Sequence, residues 1–297
     1  NLKQILDQLK NSSNLHKYDA FVVNQINFLG KYGENVGKNP TARLYKNDST
    51  IYFRRKIHEQ LYKTTGQLSI GFLELNIYHS GYLINVEREK NKKERNIALI
   101  REELNRNSKS GFDYFNLGNE YLTHWQIELA LQAYQKAFQL KGSINKVWVP
   151  TAVERIIFCL IELKRYSEAL EIIDSALGFW SNVIDFRAQK ALIYFLQNRL
   201  DDSEDVLLKL IDKDYEYKTI QSLSYSEFLP YYLLGVINQR KNEIQKAVYY
   251  YAQALNYNDK DLETMKYLYE LLVKYERKEN VVDFILRQPS IENETKR

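Results

Sequence analysis

Four sets of positions carry small or compact residues at one fixed spacing. Gly118, Ala130 and Ala137 stand 12 and then 7 residues apart. The same interval returns as Ile157, Ala169, Ala176, as Ala191, Ser203, Leu210, and as Gly235, Ala247, Ala254. Small side chains at such positions let two antiparallel helices approach closely, so the second two-thirds of the chain reads as stacked helical hairpins. Tyrosine is heavily used (24 residues), while Gly (11) and Pro (4) are scarce, as suits a helix-rich chain with few tight turns. The net charge is +4, with acids and bases interspersed. That gives no basic stripe for a phosphate backbone and argues against a nucleic-acid partner, an RNA-binding helical repeat included. Cys159, alone of its kind, lies in the apolar run Ile156–Leu160 and reads as a buried, inert thiol. No apolar run is long enough to span a bilayer, and no signal peptide is evident, so the expected location is cytoplasmic.

The first complete hairpin is expected over Gly111–Leu140. Tyr114, Leu117, Gly118 and Tyr121 lie on one helix face, and Ala130, Tyr134 and Ala137 on the facing one. This is the tetratricopeptide pattern, whose period is about 34 residues. Ala130, Ala169, Ser203 and Ala247 are separated by 39, 34 and 44 residues, so the first and third connections carry insertions. The longer one, Lys213–Glu227, interleaves Tyr215, Tyr217 and Tyr225 with charges. Pro150 and Pro230 start first helices, where a missing N–H costs little. Leu262–Leu286 reads as a degenerate capping unit with a Lys/Glu-rich outer face. Tyr121, Tyr194 and Tyr251 read as core positions of the pattern, with a contribution to a groove as the alternative. Asp201-Asp202 reads as a helix cap.

The expected organisation is a small α/β segment over residues 1–85, a charged linker helix within 86–108 packed through Ile97, Ile100 and Leu104, the repeat array over 109–288, and a frayed tail over 289–297. The fold class is mainly α. Within the first segment the pattern predicts a helix at Leu2–Leu9 and strands at Tyr18–Phe28, Ala42–Lys46, Ile51–Phe53 and Phe72–His79. A loop is expected through Gly30, Gly33 and Gly37, a turn at Asn47–Ser49, and a strand end at Ile57–Leu61. So few strands are not expected to close a stable sheet alone, and partner strands are expected elsewhere.

The ordered motifs Asn39–Asn47, Ile57-His58-Glu59-Gln60-Leu61, Ile77-Tyr78-His79-Ser80-Gly81-Tyr82 and Asn91–Asn96, followed by Tyr114–Tyr121, resemble bacterial family 2 glycosyltransferases with C-terminal tetratricopeptide repeats. That family includes the enzymes that attach sugars to bacteriocin peptides. The resemblance implies that residues 1–85 correspond to the acceptor-side part of a GT-A domain. It also implies that the donor-binding half, with its Asp-x-Asp metal motif, is not in this sequence. On that basis this polypeptide alone is not expected to bind donor or turn over.

By the same resemblance His58 and Glu59 match the acceptor-side motif, with Glu59 the catalytic base. A carboxylate capping a following helix is the alternative for Glu59. His79 would complete a metal shell, or else simply end a strand on a hydrogen bond. Arg43, Arg54 and Arg55 would face donor phosphate, or solvent; on a strand, Arg54 and Arg55 point to opposite faces. Mg²⁺ or Mn²⁺ is implied for the full-length enzyme, and no cofactor is expected in this fragment. The implied partners are a nucleotide-sugar donor for the full-length protein, a peptide or protein acceptor bound by the repeats, and a homodimer. The other reading of the same residues is a non-catalytic scaffold that binds a peptide or protein partner.

Overall fold

The structure is a computed structural model. It describes residues 14–30, 35–54, 59–83, 86–106, 110–146, 148–212 and 223–277, together with Lys3, Asp7, Lys10 and Val281. The chain divides into two compact units, Asn1–His124 and Trp125–Arg297. The division falls inside the hairpin expected over Gly111–Leu140.

The first unit holds a short helix α1 (Asn14–Lys17) and five strands: β1 (Ala20–Gly30), β2 (Asn35–Tyr45), β3 (Ile51–Arg54), β4 (Gln60–Lys63) and β5 (Ile70–Leu83). The first sheet has the order β2-β1-β5; β1 runs antiparallel to β2 and parallel to β5. β3 and β4 form a separate antiparallel hairpin. Several expectations need correction. The glycine loop is shorter than expected, because Gly37 lies inside β2 and pairs with Asn27. The strand expected at Ala42–Lys46 is the end of β2, and β5 continues four residues past His79. Among the described residues β1 is paired along both edges, and β2 and β5 form the two edges of the sheet.

Asp19 fastens this unit. Its carboxylate accepts from the Ser69 backbone N–H and hydroxyl, both at 3.0 Å, and from Lys63 Nζ at 2.9 Å. The Ser69 N–H first, then the Lys63 ammonium, hold the carboxyl well below the usual range. The start of β1, the end of β4 and the approach to β5 are thereby tied to one side chain. Gly71 permits the closest contact here, since a Cβ would lie 2.7 Å from the Tyr18 ring. The unit continues into α2 (Val86–Arg106), which packs on α3 (Gly111–Thr123) with Ile100 and Leu104 buried. Ser110 caps α3, its hydroxyl accepting from Asp113 N–H at 3.2 Å.

The second unit is a run of helices: α4 (Ile127–Gln139), α5 (Trp148–Glu162), α6 (Tyr166–Phe179), α7 (Ile184–Leu196), α8 (Leu200–Leu210), α9 (Phe228–Arg240), α10 (Ile244–Tyr257) and α11 (Leu262–Tyr275). Pairs α5/α6, α7/α8 and α9/α10 are antiparallel hairpins that stack in order, and α11 packs on α10. The small positions are where two helices meet. Ala130, Ala169, Ser203 and Ala247 are fully buried, and Ser203 Oγ donates to the Ala191 carbonyl at 2.8 Å. Gly235 receives the ring of Tyr251, which is fully buried.

The hairpin turns share one device that small-residue spacing does not announce. Trp125, Lys164, Asn198 and Asn242 all have φ between 57° and 61°. Each stands five residues before the small position of a second helix. Around the last three, paired bonds close the first helix. Lys164 N–H bonds Ile161 O and Arg165 N–H bonds Leu160 O; the same pair recurs at Asn198/Arg199 and Asn242/Glu243. This is the Schellman arrangement, with the left-handed residue satisfying carbonyls the helix end leaves open.

The expected outer face of the last helix is mixed. Lys266, Glu270 and Lys274 share it with exposed Leu262, Tyr269, Val273 and Tyr275. The chain is thus mainly helical, a tetratricopeptide-like array preceded by a small sheet segment.

Candidate binding groove and the sheet cluster

Helices α5, α7 and α9 are the first helices of successive hairpins, and they pack on one another as well as on their own second helices. In a stacked array the first helices therefore share one continuous face, the kind of surface such arrays use for ligands. This face is apolar over much of its length, with Leu192, Phe195, Leu229 and Tyr232 partly buried against the core of Ile184, Ala188, Leu233 and Leu234.

Between α5 and α7 lies a group of buried polar side chains. Asp185 and Gln189, one helical turn apart on α7, have no solvent exposure, and Glu154 on α5 is 1% exposed. Gln189 Nε2 donates to Glu154 Oε1 at 2.9 Å, and also approaches the Glu154 carbonyl at 3.3 Å. The Tyr225 hydroxyl donates to the same Oε1 at 3.4 Å. Arg155 Nε stands 3.6 Å from Glu154 Oε2. Two buried acceptors, Glu154 Oε2 and Gln189 Oε1, make no hydrogen bond among the described residues. Burial pushes the Glu154 carboxyl up to about 7, with the Arg155 charge opposing and the Asp185 charge adding to the shift.

Tyr225 belongs to a short 3₁₀ turn, Leu223–Tyr225, in the long connection between α8 and α9. The turn packs on α7 and α9, and the tyrosine hydroxyl reaches across to α5. None of these four groups was singled out for chemistry from sequence. A signal was there: Glu154 and Arg155 interrupt the apolar run from Val149 to Ile161, and Tyr225 falls in the longest insertion.

The residues expected from the sequence at a catalytic site lie elsewhere, on the two sheets. Arg43 and His79 are brought into one chain of contacts on the three-stranded sheet. Arg43 Nη2 donates to Gln25 Oε1 at 2.7 Å, Gln25 Nε2 donates to Asn27 Oδ1 at 2.8 Å, and His79 Nδ1 lies 3.1 Å from the same oxygen. Asn27 is 1% exposed, and its Nδ2 has no partner among the described residues. His79 sits inside β5, in register with Asn27, rather than at a strand end. Arg54 and Glu59 lie instead on and beside the β3–β4 hairpin, both exposed; Arg54 is 5.4 Å from the Tyr62 ring centre. Glu59 precedes strand β4, so it caps no helix. His58 and Arg55 lie outside the described residues.

Among the described residues no three His, Cys, Asp or Glu side chains converge as metal ligands. His79 turns Nδ1 to an amide oxygen. Asp201 and Asp202 sit in the first turn of α8, where Lys241 and Arg199 respectively pair with them. Cys159 is buried, its thiol pushed up to about 12 chiefly by burial. Tyr121 and Tyr251 are buried as expected, whereas Tyr194 is partly exposed, with the Arg199 guanidinium 4.1 Å from its ring centre.

No family model matches this chain, and no curated protein matches it. Among solved structures, similar ones include YrrB, described as a tetratricopeptide protein with an unusual peptide-binding site. It has 18% identity and a TM-score of 0.44 over 61% of this chain and 86% of that one. MamA from Desulfovibrio magneticus RS-1, from residue 41 to its end, has 15% identity and a TM-score of 0.46 over 62% and 96%. The Cut9–Hcn1 hetero-tetramer of the APC/C has 12% identity and a TM-score of 0.49 over 62% and 34%. At these values the repeat assignment rests on the hairpins themselves. No described helix is long and apolar enough to cross a membrane.

Proposed function

We propose that this chain is a protein-interaction scaffold whose α5–α7–α9 face holds a peptide or protein segment. The carrying observation is the continuous apolar face of these first helices, with the polar group Glu154, Asp185 and Gln189 buried among them. A buried carboxylate costs stability unless fully paired, and apolar residues of similar volume would serve packing better. Ligand recognition gives such residues a reason to be there. The test is a photo-reactive phenylalanine placed at Phe195 on this face or at Leu208 on the outside of α8. Cross-links to a bound protein from Phe195 and not from Leu208 support the scaffold; equal yields from both sites would exclude this face.

A second reading keeps the transferase. What favours it is the chain Arg43–Gln25–Asn27–His79, which joins two of the residues matched to the glycosyltransferase motifs. In that reading residues 1–85 are the acceptor side of the catalytic domain and 109–288 the array. The groove then holds the peptide that receives the sugar, and a nucleotide-sugar and its divalent ion complete the reaction. Pairing of two copies through the exposed end of the array belongs to the same reading.

A further inference from the structure

We infer that the turn Leu223–Tyr225 is an autoinhibitory contact: the chain fills its own α5–α7–α9 face with Tyr225, and a partner segment reaches that face only as the turn lifts away. The inference rests on the scaffold reading and adds its regulation.

Three observations carry it. First, the turn lies where a ligand of this face would lie. α5 and α9 each pack on α7, which stands between them. The turn packs on α7 and α9, while the Tyr225 hydroxyl reaches Glu154 on α5 at 3.4 Å. A side chain that spans these three helices passes across α7 on the face they share. The Tyr225 ring packs against the same core as Leu192, Leu229 and Tyr232, so it covers apolar surface that a partner would use. Second, the array does not need this turn to join its hairpins. The step from Phe179 to Ile184 joins α6 to α7 directly, whereas α8 and α9 are joined by the longer path from Leu210 to Phe228. The small positions record the difference: Ser203 and Ala247 are 44 residues apart, against 34 for Ala169 and Ser203. Third, the hold is light. A 3₁₀ turn of three residues has little helix of its own to anchor it. The oxygen that Tyr225 reaches already accepts from Gln189 at 2.9 Å. Glu154 and Gln189 thus join α5 to α7 without the tyrosine, so the turn can leave while the stack stays paired.

The test uses the full chain and a fluorescein-labelled peptide of residues 223–227, Leu-Ser-Tyr-Ser-Glu, offered in trans. The control peptide carries alanine for its tyrosine. A face open in about one molecule in ten binds a ligand about tenfold more weakly than a face always open. Tyr225→Ala vacates the place of the ring and leaves the rest of the turn. The tyrosine peptide should therefore bind this variant about tenfold more tightly than the parent, read by anisotropy. The alanine peptide should show no such gain. Tyr225→Phe keeps the ring on the face and should stay within about twofold of the parent. Should Tyr225→Ala fail to fold by circular dichroism, Tyr225→Leu fills part of the space and should still tighten binding about threefold. Equal affinity of the parent and the folded variant overturns the inference. So does a variant that binds no tyrosine peptide, or a gain that the alanine peptide shares. The scaffold reading is judged separately, by the Phe195 cross-links, which none of these outcomes alters.

Discussion

Gly235 shows how far one missing methyl decides packing in this array. A Cβ there would lie 2.5 Å from Cδ1 of Tyr251, whose hydroxyl is held by Gln239 at 2.6 Å. Helix propensity favours alanine over glycine by about 1 kcal/mol, while overpacking a core costs roughly 1–3 kcal/mol. We expect Gly235→Ala to destabilise by about 1–2 kcal/mol in urea unfolding, and the same change to be neutral or stabilising once Tyr251 is leucine. A more stable single variant would refute the close approach. Glu154 gives a pH signature. Its carboxyl is raised from 4.5 to about 7 in the folded chain, so the native state binds the proton more tightly. The resulting stability is complete below about pH 4.5 and is lost as pH rises through about 7, on the order of 3 kcal/mol over the interval. Arg155, Asp185, Tyr225, Tyr134 and Cys159 are the ionisable groups coupled to it. Glu154→Gln should flatten the decline between pH 5 and pH 8 in thermal melts. A slope as steep as that of the parent would place the titration elsewhere.

The hairpins were legible at the level of elements because their helices meet through small residues at fixed intervals. The turns were not, because no glycine marks them. Lys164 holds φ of 58° with a full side chain, where left-handed backbone costs roughly 1–2 kcal/mol for an L-residue, and Asn198 and Asn242 bear the same conformation more easily. Lys164→Gly should therefore stabilise by about 0.5–1 kcal/mol in urea unfolding, with a smaller gain at Asn198→Gly. A loss at Lys164 would mean that its side chain, not its backbone, matters to the turn. The strands show the opposite imbalance. Tyr18–Phe28 and Ile51–Phe53 stood out by β-branched and aromatic content, but the length of β2 did not, because Gly37 and Pro40 disguise it. Pro40 is tolerated on β2, which lies at the edge of the sheet. The polar group between α5 and α7 was the least legible feature. Glu154 and Gln189 are 35 residues apart, and only the stacking of α5 on α7 makes them neighbours.

At the scale of the whole molecule, two polar clusters invite two different roles, and they can be separated by experiment. One is the groove at Glu154, Gln189 and Tyr225; the other is the sheet chain from Arg43 to His79. The first belongs to the unit Trp125–Arg297 and the second to the unit Asn1–His124. If the groove alone recognises a peptide, Arg43→Ala and His79→Ala should leave peptide affinity within about twofold, less than 0.5 kcal/mol. Both should lower the melting temperature, because each strips a partner from a buried amide, Gln25 or Asn27. UDP release from a UDP-sugar, with Mn²⁺ added, distinguishes the second role. Release that falls by orders of magnitude with His79→Ala, in a variant still folded by circular dichroism, would give the sheet a catalytic part. Melting temperatures that fall without any change in UDP release would make the Arg43–His79 chain a fastening of β2 and β5 to β1, and the molecule a scaffold throughout. A peptide affinity that collapses with Arg43→Ala would contradict both, since it would tie the sheet to recognition in the groove.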